Sequence, residues 1–230
     1  MNKSIILLSG GLDSVVSLAL GLEEYNIKLA LTFNYGQRAK NQEIKAAQEI
    51  SKYYGIDHKV IELPFLQEIT STSLVNTDEN LPELKTIELD RMDMIEDSAK
   101  KVWVPNRNGL FANVAASYAD SFNFTHILFG ANKEEATTFP DNSADFIAKM
   151  NNMLEYSTLA KPKLAAPLID FDKKEIVKIG MEKKIPFNLI RSCYTDEGKH
   201  CGKCESCLRL KRGLAESAGE EIISQIFARI

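Results

Sequence analysis

The chain has 230 residues, 44% of them hydrophobic and 26% charged, with a formal net charge of −4 at pH 7. That length supports a full buried core, as one large domain or one domain with an appendage. The acidic balance argues against broad nonspecific nucleic-acid binding, and no apolar run approaches the roughly 18–20 residues that span a bilayer. Ser9-Gly10-Gly11 interrupts the only apolar stretch near the amino terminus, so no signal peptide is expected and a cytoplasmic location is.

Taken in chain order, Ile5-Ile6-Leu7-Leu8 reads as a strand and Val15 to Leu22 as a helix. Ser9-Gly10-Gly11-Leu12-Asp13-Ser14 lies between them. A strand, a glycine turn and a helix start in that order aim backbone N–H groups and the positive helix end at one point, where a phosphate can sit. Two adjacent glycines let the backbone approach a ligand closely. A carboxylate such as Asp13 repels phosphates unless a cation lies between, so ATP with Mg2+ is the expected ligand. No Gly-Lys-Ser/Thr follows, so this is not a Walker loop and its phosphate-reaching lysine is missing. The plainer reading is a glycine turn ending a core strand, with Asp13 or Ser14 as a helix cap.

Lys28 to Phe33 reads as the second strand, Gln42 to Tyr54 as a helix and His58 to Leu63 as the third strand. A helix from about Gly109 to Ser121 precedes a fourth strand, His126 to Phe129. Strands alternating with helices predict a parallel α/β sheet covered on both faces, with ligands bound beyond the carboxyl ends of the strands. The Ser9–Ser14 loop, Asn34-Tyr35-Gly36-Gln37 and Gly130-Ala131-Asn132 all fall at those ends. Between Pro64 and Lys101 the pattern is lost, which reads as a long loop with a short helix, either a lid or a solvated insertion.

All four cysteines lie between positions 193 and 207, spaced Cys193-x7-Cys201-x2-Cys204-x2-Cys207. Four thiolates complete a tetrahedral zinc with no open position, so one structural zinc per chain is expected. An iron–sulfur cluster and redox thiols are the competing readings. Lys199, Lys203 and Arg209 nearby offset part of the charge of a zinc–tetrathiolate.

The glycine loop resembles the pyrophosphate loop of ATP pyrophosphatases. Further matching pieces are Phe33-Asn34-Tyr35-Gly36-Gln37-Arg38, Val104-Pro105-Asn106-Arg107-Asn108, Thr138-Phe139-Pro140-Asp141 and Pro167-Leu168 with Lys174-Glu175-Ile176. Ser192-Cys193-Tyr194 and Cys201-Gly202-Lys203-Cys204 complete them. Together they resemble the 7-cyano-7-deazaguanine synthase family, the nitrile-forming enzymes of queuosine and archaeosine biosynthesis, nearly end to end. Pro140-Asp141-Asn142-Ser143 stands where the common bacterial form has Pro-Asp-Cys-Arg, which looks more like the archaeal-type branch.

The resemblance implies a doubly wound parallel sheet of the adenine-nucleotide alpha-hydrolase (PP-loop) type over residues 1–190, with a helical zinc-binding region at 191–230 packed on it. It implies an ATP segment of Leu8, Ser9, Gly10, Gly11, Leu12, Asp13, Ser14, Val15, Val16, Ser17 and Leu18, of which Val15, Val16 and Leu18 read physically as helix-to-sheet packing. The family's zinc ligands fall on Cys193, Cys201, Cys204 and Cys207.

The implied substrates are 7-carboxy-7-deazaguanine and ammonia, and the protein is expected to be a homodimer with no membrane and no direct nucleic-acid partner. Asp13, Arg107 and Glu135 are the expected catalytic groups. Tyr35, Gln37, Arg107, Asn108, Phe139 and Asp141 are the expected substrate contacts. A guanidinium binds oxyanions bidentately, so Arg107 suits a phosphate or carboxylate, or else a surface ion pair. Glu135 or Asp141 would pair with a guanine-like edge, and Phe139 and Phe111 would stack on the heterocycle or simply fill core. Other readings stay open: an amide ligase on another acid, a tRNA-modifying pyrophosphatase, a zinc-ribbon module on nucleic acid, and transfer of the activated deazapurine to a macromolecular amine.

Overall fold

A computed structural model describes residues 2–83, 85–89, 91–217 and 219–227. Five parallel strands form one sheet: β1 (Lys3–Leu7), β2 (Asn26–Asn34), β3 (Asp57–Glu62), β4 (His126–Leu128) and β5 (Lys163–Ala165). Their order is β3-β2-β1-β4-β5. The chain runs outward from β1 in one direction through β2 and β3, then returns to place β4 on the other side of β1. That reversal opens a crevice at the carboxyl ends of β1 and β4.

Both faces of β1 are buried, as its unbroken apolar run requires of a central parallel strand. Ile6 and Leu8 pack one way, against Val15, Val16 and Leu18 of α1 (Leu12–Glu24) and Ile176 and Val177 of α7 (Lys173–Glu182). Ile5 and Leu7 pack the other way, against Ala112, Ala115, Ala116 and Ala119 of α5 (Arg107–Phe122). A face of alanines lets that helix lie close to the sheet.

Helix α2 (Lys40–Tyr54) joins β2 to β3, and α6 (Ala144–Ser157) precedes β5. The carboxyl-terminal helices α8 (Glu205–Glu216) and α9 (Glu220–Ile226) do not stand apart. Cys193, Cys204, Cys207, Leu210 and Leu214 share the hydrophobic cluster of α1 and α7.

Sequence and structure part company between positions 64 and 102. In place of a long loop with one short helix stand α3 (Pro64–Ile69), a 3-10 turn (Thr86–Glu88) and the eleven-residue α4 (Met92–Val102). Ile95, Ala99 and Val102 recur at helical spacing and are buried, but acids crowd the intervening positions and dilute the pattern. The segment is not a solvated insertion, because Leu66, Leu74, Val75, Leu89, Ile95 and Ala99 are buried. Leu74 lines the central cavity together with Val102 and, just beyond the segment, Trp103 and Val104.

Candidate active site

The phosphate-type loop is built by two constraints. Gly10 has φ +81°, and a Cβ there would lie 2.8 Å from Ala46 Cβ and 3.1 Å from the Ala47 amide nitrogen. Gly130, after β4, packs on the other side, its Cβ position 3.1 Å from the Ser14 nitrogen. The loop is thus clamped between α2 and the β4 end. Gly11 is less crowded, with Ser9 Oγ 3.3 Å from its Cβ position. The tight glycine is therefore Gly10.

Gly11 caps α1 without a side-chain bond. The Leu12 N–H donates to Ser192 Oγ at 3.3 Å, while the N–H groups of Asp13 and Ser14 meet no acceptor among the described residues. Unpaired amides at a helix start are an anion site in waiting. Leu8, Ser9, Gly11, Leu12, Asp13 and Ser14 line a cavity of about 260 Å³. Val15, Val16, Ser17 and Leu18 are buried behind it and do not line it, nor does Gly10.

The missing lysine of the loop has a counterpart from elsewhere in the chain. Asp172 accepts from the Glu175 N–H and Glu175 accepts from the Asp172 N–H, both at 2.9 Å, so a capping box fixes the start of α7. Lys173 follows as its first residue, and its Nζ donates to both carboxylate oxygens of Asp13, at 2.8 and 2.9 Å. Glu135 Oε1 lies 3.3 Å from the same nitrogen. A buried cation at a positive helix end is unfavourable by itself. Burial opposes the Lys173 charge, but Asp13 and Glu135 hold its pKa well above the usual lysine value. Burial is the largest influence on Asp13 and lifts that carboxyl to about 6 against the pull of Lys173. Glu135 is held below the usual range, because Lys173 and Arg107 outweigh its burial.

Arg107 opens α5, behind Asn106 in the left-handed conformation (φ 51°). Its guanidinium donates to Asn108 Oδ1 at 3.2 Å and to the Tyr35 hydroxyl at 3.4 Å, and it makes no ion pair among the described residues. Asp141 lies near enough to raise its pKa further, although burial opposes the charge. Burial raises the Asp141 carboxyl in turn. Arg107, Asn108, Tyr35, Phe139, Asp141 and Glu135 all face the cavity.

Gln37 does not face it. Its carbonyl accepts from the Tyr35 N–H at 3.0 Å, and its amide donates to Phe33 O at 3.0 Å and to Glu43 at 2.9 Å, so it braces the turn after β2. Phe111 also lines the cavity and stacks on Phe33, centroids 4.0 Å apart. Trp103 and Phe139 present parallel rings 6.2 Å apart on another wall.

The four cysteine sulfurs lie within 4.8 Å of one another, and none is in a disulfide. Tetrahedral zinc with bonds of about 2.3 Å separates its sulfurs by about 3.8 Å, and Cys201 and Cys207 are 3.9 Å apart. The donor set therefore fits such an ion, and no thiol is left for chemistry in the cavity.

The metal region also reaches the cavity. Cys204 caps α8, whose Arg209 pairs with Glu205 at 2.9 Å and with Glu134. Glu134 in turn accepts from the Lys173 N–H at 3.0 Å.

Sequence reasoning missed Lys173, Glu43, Trp103 and the Glu134–Arg209 pair. For Lys173 a signal existed in Asp172-x2-Glu175, a helix start with a lysine at its first position against the dipole. The others carry no local signal.

Residues 3–218 match the family model for queuosine biosynthesis protein QueC. A relative from Carboxydothermus hydrogenoformans named 7-cyano-7-deazaguanine synthase is 50% identical, covering 92% of this chain and 98% of its own. One of the same name from Pelotomaculum thermopropionicum is 49% identical over 96% of this chain and 99% of its own. An archaeal one from Methanobrevibacter smithii is 50% identical over 91% and 92%. The matched span covers every strand of the sheet, the glycine loop, the start of α7 and all four cysteines. This chain belongs to the queuosine biosynthesis protein QueC family.

Proposed function

We propose that the chain converts 7-carboxy-7-deazaguanine and ammonia into 7-cyano-7-deazaguanine, activating first the acid and then the amide with ATP. The observation that carries this reading is the meeting, in one cavity, of unpaired amides at the head of α1, the cations Lys173, Arg107, Arg191 and Arg209, and aromatic walls. The relatives' shared name supports the product, 7-cyano-7-deazaguanine, and the acid and ammonia are the substrates we propose for it.

A carboxylate resists attack by ammonia until one oxygen becomes a leaving group, and transfer of AMP to it achieves this. The Asp13 and Ser14 amides would receive the departing pyrophosphate. Lys173 stands where its ammonium can exchange Asp13 for the same oxyanions, and Arg107 suits the substrate carboxylate or the α-phosphate. Asp13 and Glu135 offer the hard oxygen ligands magnesium prefers. The bound ion would offset phosphate charge. Asp141 would accept from the N–H donors of the guanine-like edge, with Phe139 and Trp103 flanking the ring.

The four cysteines would hold one structural zinc. Incubation with ATP, ammonium and the acid, followed by product mass, tests the reading. The nitrile is the expected product, and absence of both amide and nitrile sinks it. Trp103 is the only tryptophan, so its fluorescence should also report binding of the acid.

A further inference from the structure

Six carboxylates line the cavity: Asp13, Glu43, Glu134, Glu135, Asp141 and Glu205. Lys173 pairs with Asp13 and Glu135, and Arg209 with Glu134 and Glu205. Glu43 and Asp141 have no ion-pair partner among the described residues. Asp141 sits beside Arg107 and the aromatic wall. Glu43 sits in the first turn of α2, its backbone oxygen 3.2 Å from where a Gly10 Cβ would be, so it borders the nucleotide loop.

One oxygen of Glu43 accepts from Gln37 at 2.9 Å, and the other takes no hydrogen bond among the described residues. Gln37 is fixed in turn by Phe33 O and the Tyr35 N–H, so its amide can only donate to Glu43. Gln37 also lines a second, polar cavity with Arg38, Asn41, Thr70 and Asn76. The Gln37–Glu43 bond therefore spans the wall between the two. The charged or titratable groups around Glu43 are Arg107, Arg191, Asp196 and Tyr35.

We propose that Glu43 binds ammonium in the cavity and takes its proton, delivering ammonia to the activated acid. This rests on the function read above. Of the three reactants, ammonium is the one with positive charge, and it is not nucleophilic until it loses a proton. A braced carboxylate with one free oxygen, and with Arg107 and Arg191 nearby but in no ion pair with it among the described residues, meets both needs.

The Glu43 carboxylate accepts one proton from ammonium. The nitrogen lone pair attacks the carbonyl carbon of the acyl adenylate, the C–N bond forms, and the C–O bond to AMP breaks. The second proton leaves with the AMP phosphate, giving the neutral amide. Burial raises the Glu43 pKa above the usual glutamate value, which favours proton acceptance.

Glu43→Gln keeps the shape and removes the charge. With full-length protein, it should raise the KM for ammonium about tenfold or more. It should leave acid-dependent exchange of pyrophosphate into ATP, which needs no nitrogen, at the wild-type rate and acid KM. Its ammonium requirement should relax as the pH approaches the pKa of ammonium itself. Hydroxylamine, already neutral at pH 7, should give hydroxamate at near the wild-type rate. Glu43→Asp should fall between the two in ammonium KM.

A wild-type ammonium KM in Glu43→Gln overturns the proposal. So does loss of the exchange reaction or a raised acid KM, which would place Glu43 on the nucleotide or the guanine edge. Absence of acid-dependent exchange in the wild-type protein would instead count against the function itself.

Discussion

Lys173 Nζ touches both oxygens of Asp13 across 160 residues of chain. It brings to the glycine loop the cation that a Walker loop carries within itself. The pair is buried, so breaking one side strands the other. Lys173→Met leaves the Asp13 and Glu135 carboxylates facing one another without a cation, which drives Asp13 toward protonation at neutral pH. We expect kcat for acid-dependent AMP formation to fall about 10²–10³-fold, the usual range for a lost electrostatic stabiliser, with the fold retained by circular dichroism. An unchanged kcat would remove Lys173 from the chemistry.

The Asp13 carboxyl, raised to about 6, gives activity and stability opposite pH dependences. If Asp13 holds magnesium as proposed, the ion needs the carboxylate, and kcat/KM for Mg·ATP should decline as the pH falls through about 6. The folded state holds a proton between the unfolded value of 3.8 and about 6, so Asp13's own contribution to stability rises on acidification through that window. Asp13→Asn should show neither trend, with weak Mg·ATP binding throughout. Parallel pH profiles for the two proteins would contradict the assignment.

Gly10 and Gly11 should separate stability from binding. Gly10→Ala forces a left-handed alanine against Ala46 and the Ala47 backbone, costing about 1–3 kcal/mol from overpacking and about 1–2 kcal/mol from the backbone. Gly11→Ala is tight only against Ser9 Oγ at 3.3 Å, with Arg191 O at 3.6 Å and Ser192 Oγ at 3.9 Å in ordinary contact, so its melting temperature should stay near wild type while its affinity for ATP falls. The reverse order of melting temperatures would show that the loop is held differently.

Which of these features the sequence carries follows from how local their cause is. Residues 9–14 form one turn and the four cysteines span fifteen positions, so adjacency alone shows the loop and the cluster. Four of the five strands read as apolar runs, but the three-residue β5 (Lys163–Ala165) is too short to stand out, and the strand order is set by long-range pairing that has no local signal. Helix α4 hides because Ile95, Ala99 and Val102 are diluted by Asp93, Glu96 and Asp97. Lys173 and Glu43 lie on the outsides of helices that read as surface, and only the packing of α7 and α2 on the loop turns them inward. Gln37 sits within a recognisable motif, yet only its hydrogen bonds to Phe33, Tyr35 and Glu43 show that it braces the turn after β2.

Removal of zinc should act on the cavity as well as on the fold. Cys204 begins α8, and α8 holds Arg209 against Glu134, which accepts from the Lys173 N–H. Elemental analysis should find one zinc per chain, and Cys204→Ser should be poorly soluble, since binding such a metal contributes about 10–16 kcal/mol in zinc-finger peptides. Mild chelation should weaken ATP binding before secondary structure is lost. Iron in place of zinc, or unchanged ATP affinity after full zinc loss, would refute this coupling.

The nucleotide products should be AMP and pyrophosphate, with the free amide, 7-amido-7-deazaguanine, competent as an intermediate. The loop has no lysine of its own to guide a γ-phosphate. Its open amides at Asp13 and Ser14 instead border the cavity that Arg107 also lines, so a pyrophosphate held by the amides would leave the α-phosphate to the guanidinium. Nitrile formation asks for the same oxygen activation on the amide, because hydroxide leaves poorly, and one site can serve both rounds since acid and amide differ only at the reacting group. Amide and ATP without ammonium should therefore give nitrile and AMP, and Glu43→Gln should not raise any ammonium requirement there because none exists. Direct appearance of ADP and phosphate, or conversion of the acid with no conversion of the amide, would overturn the two-round mechanism.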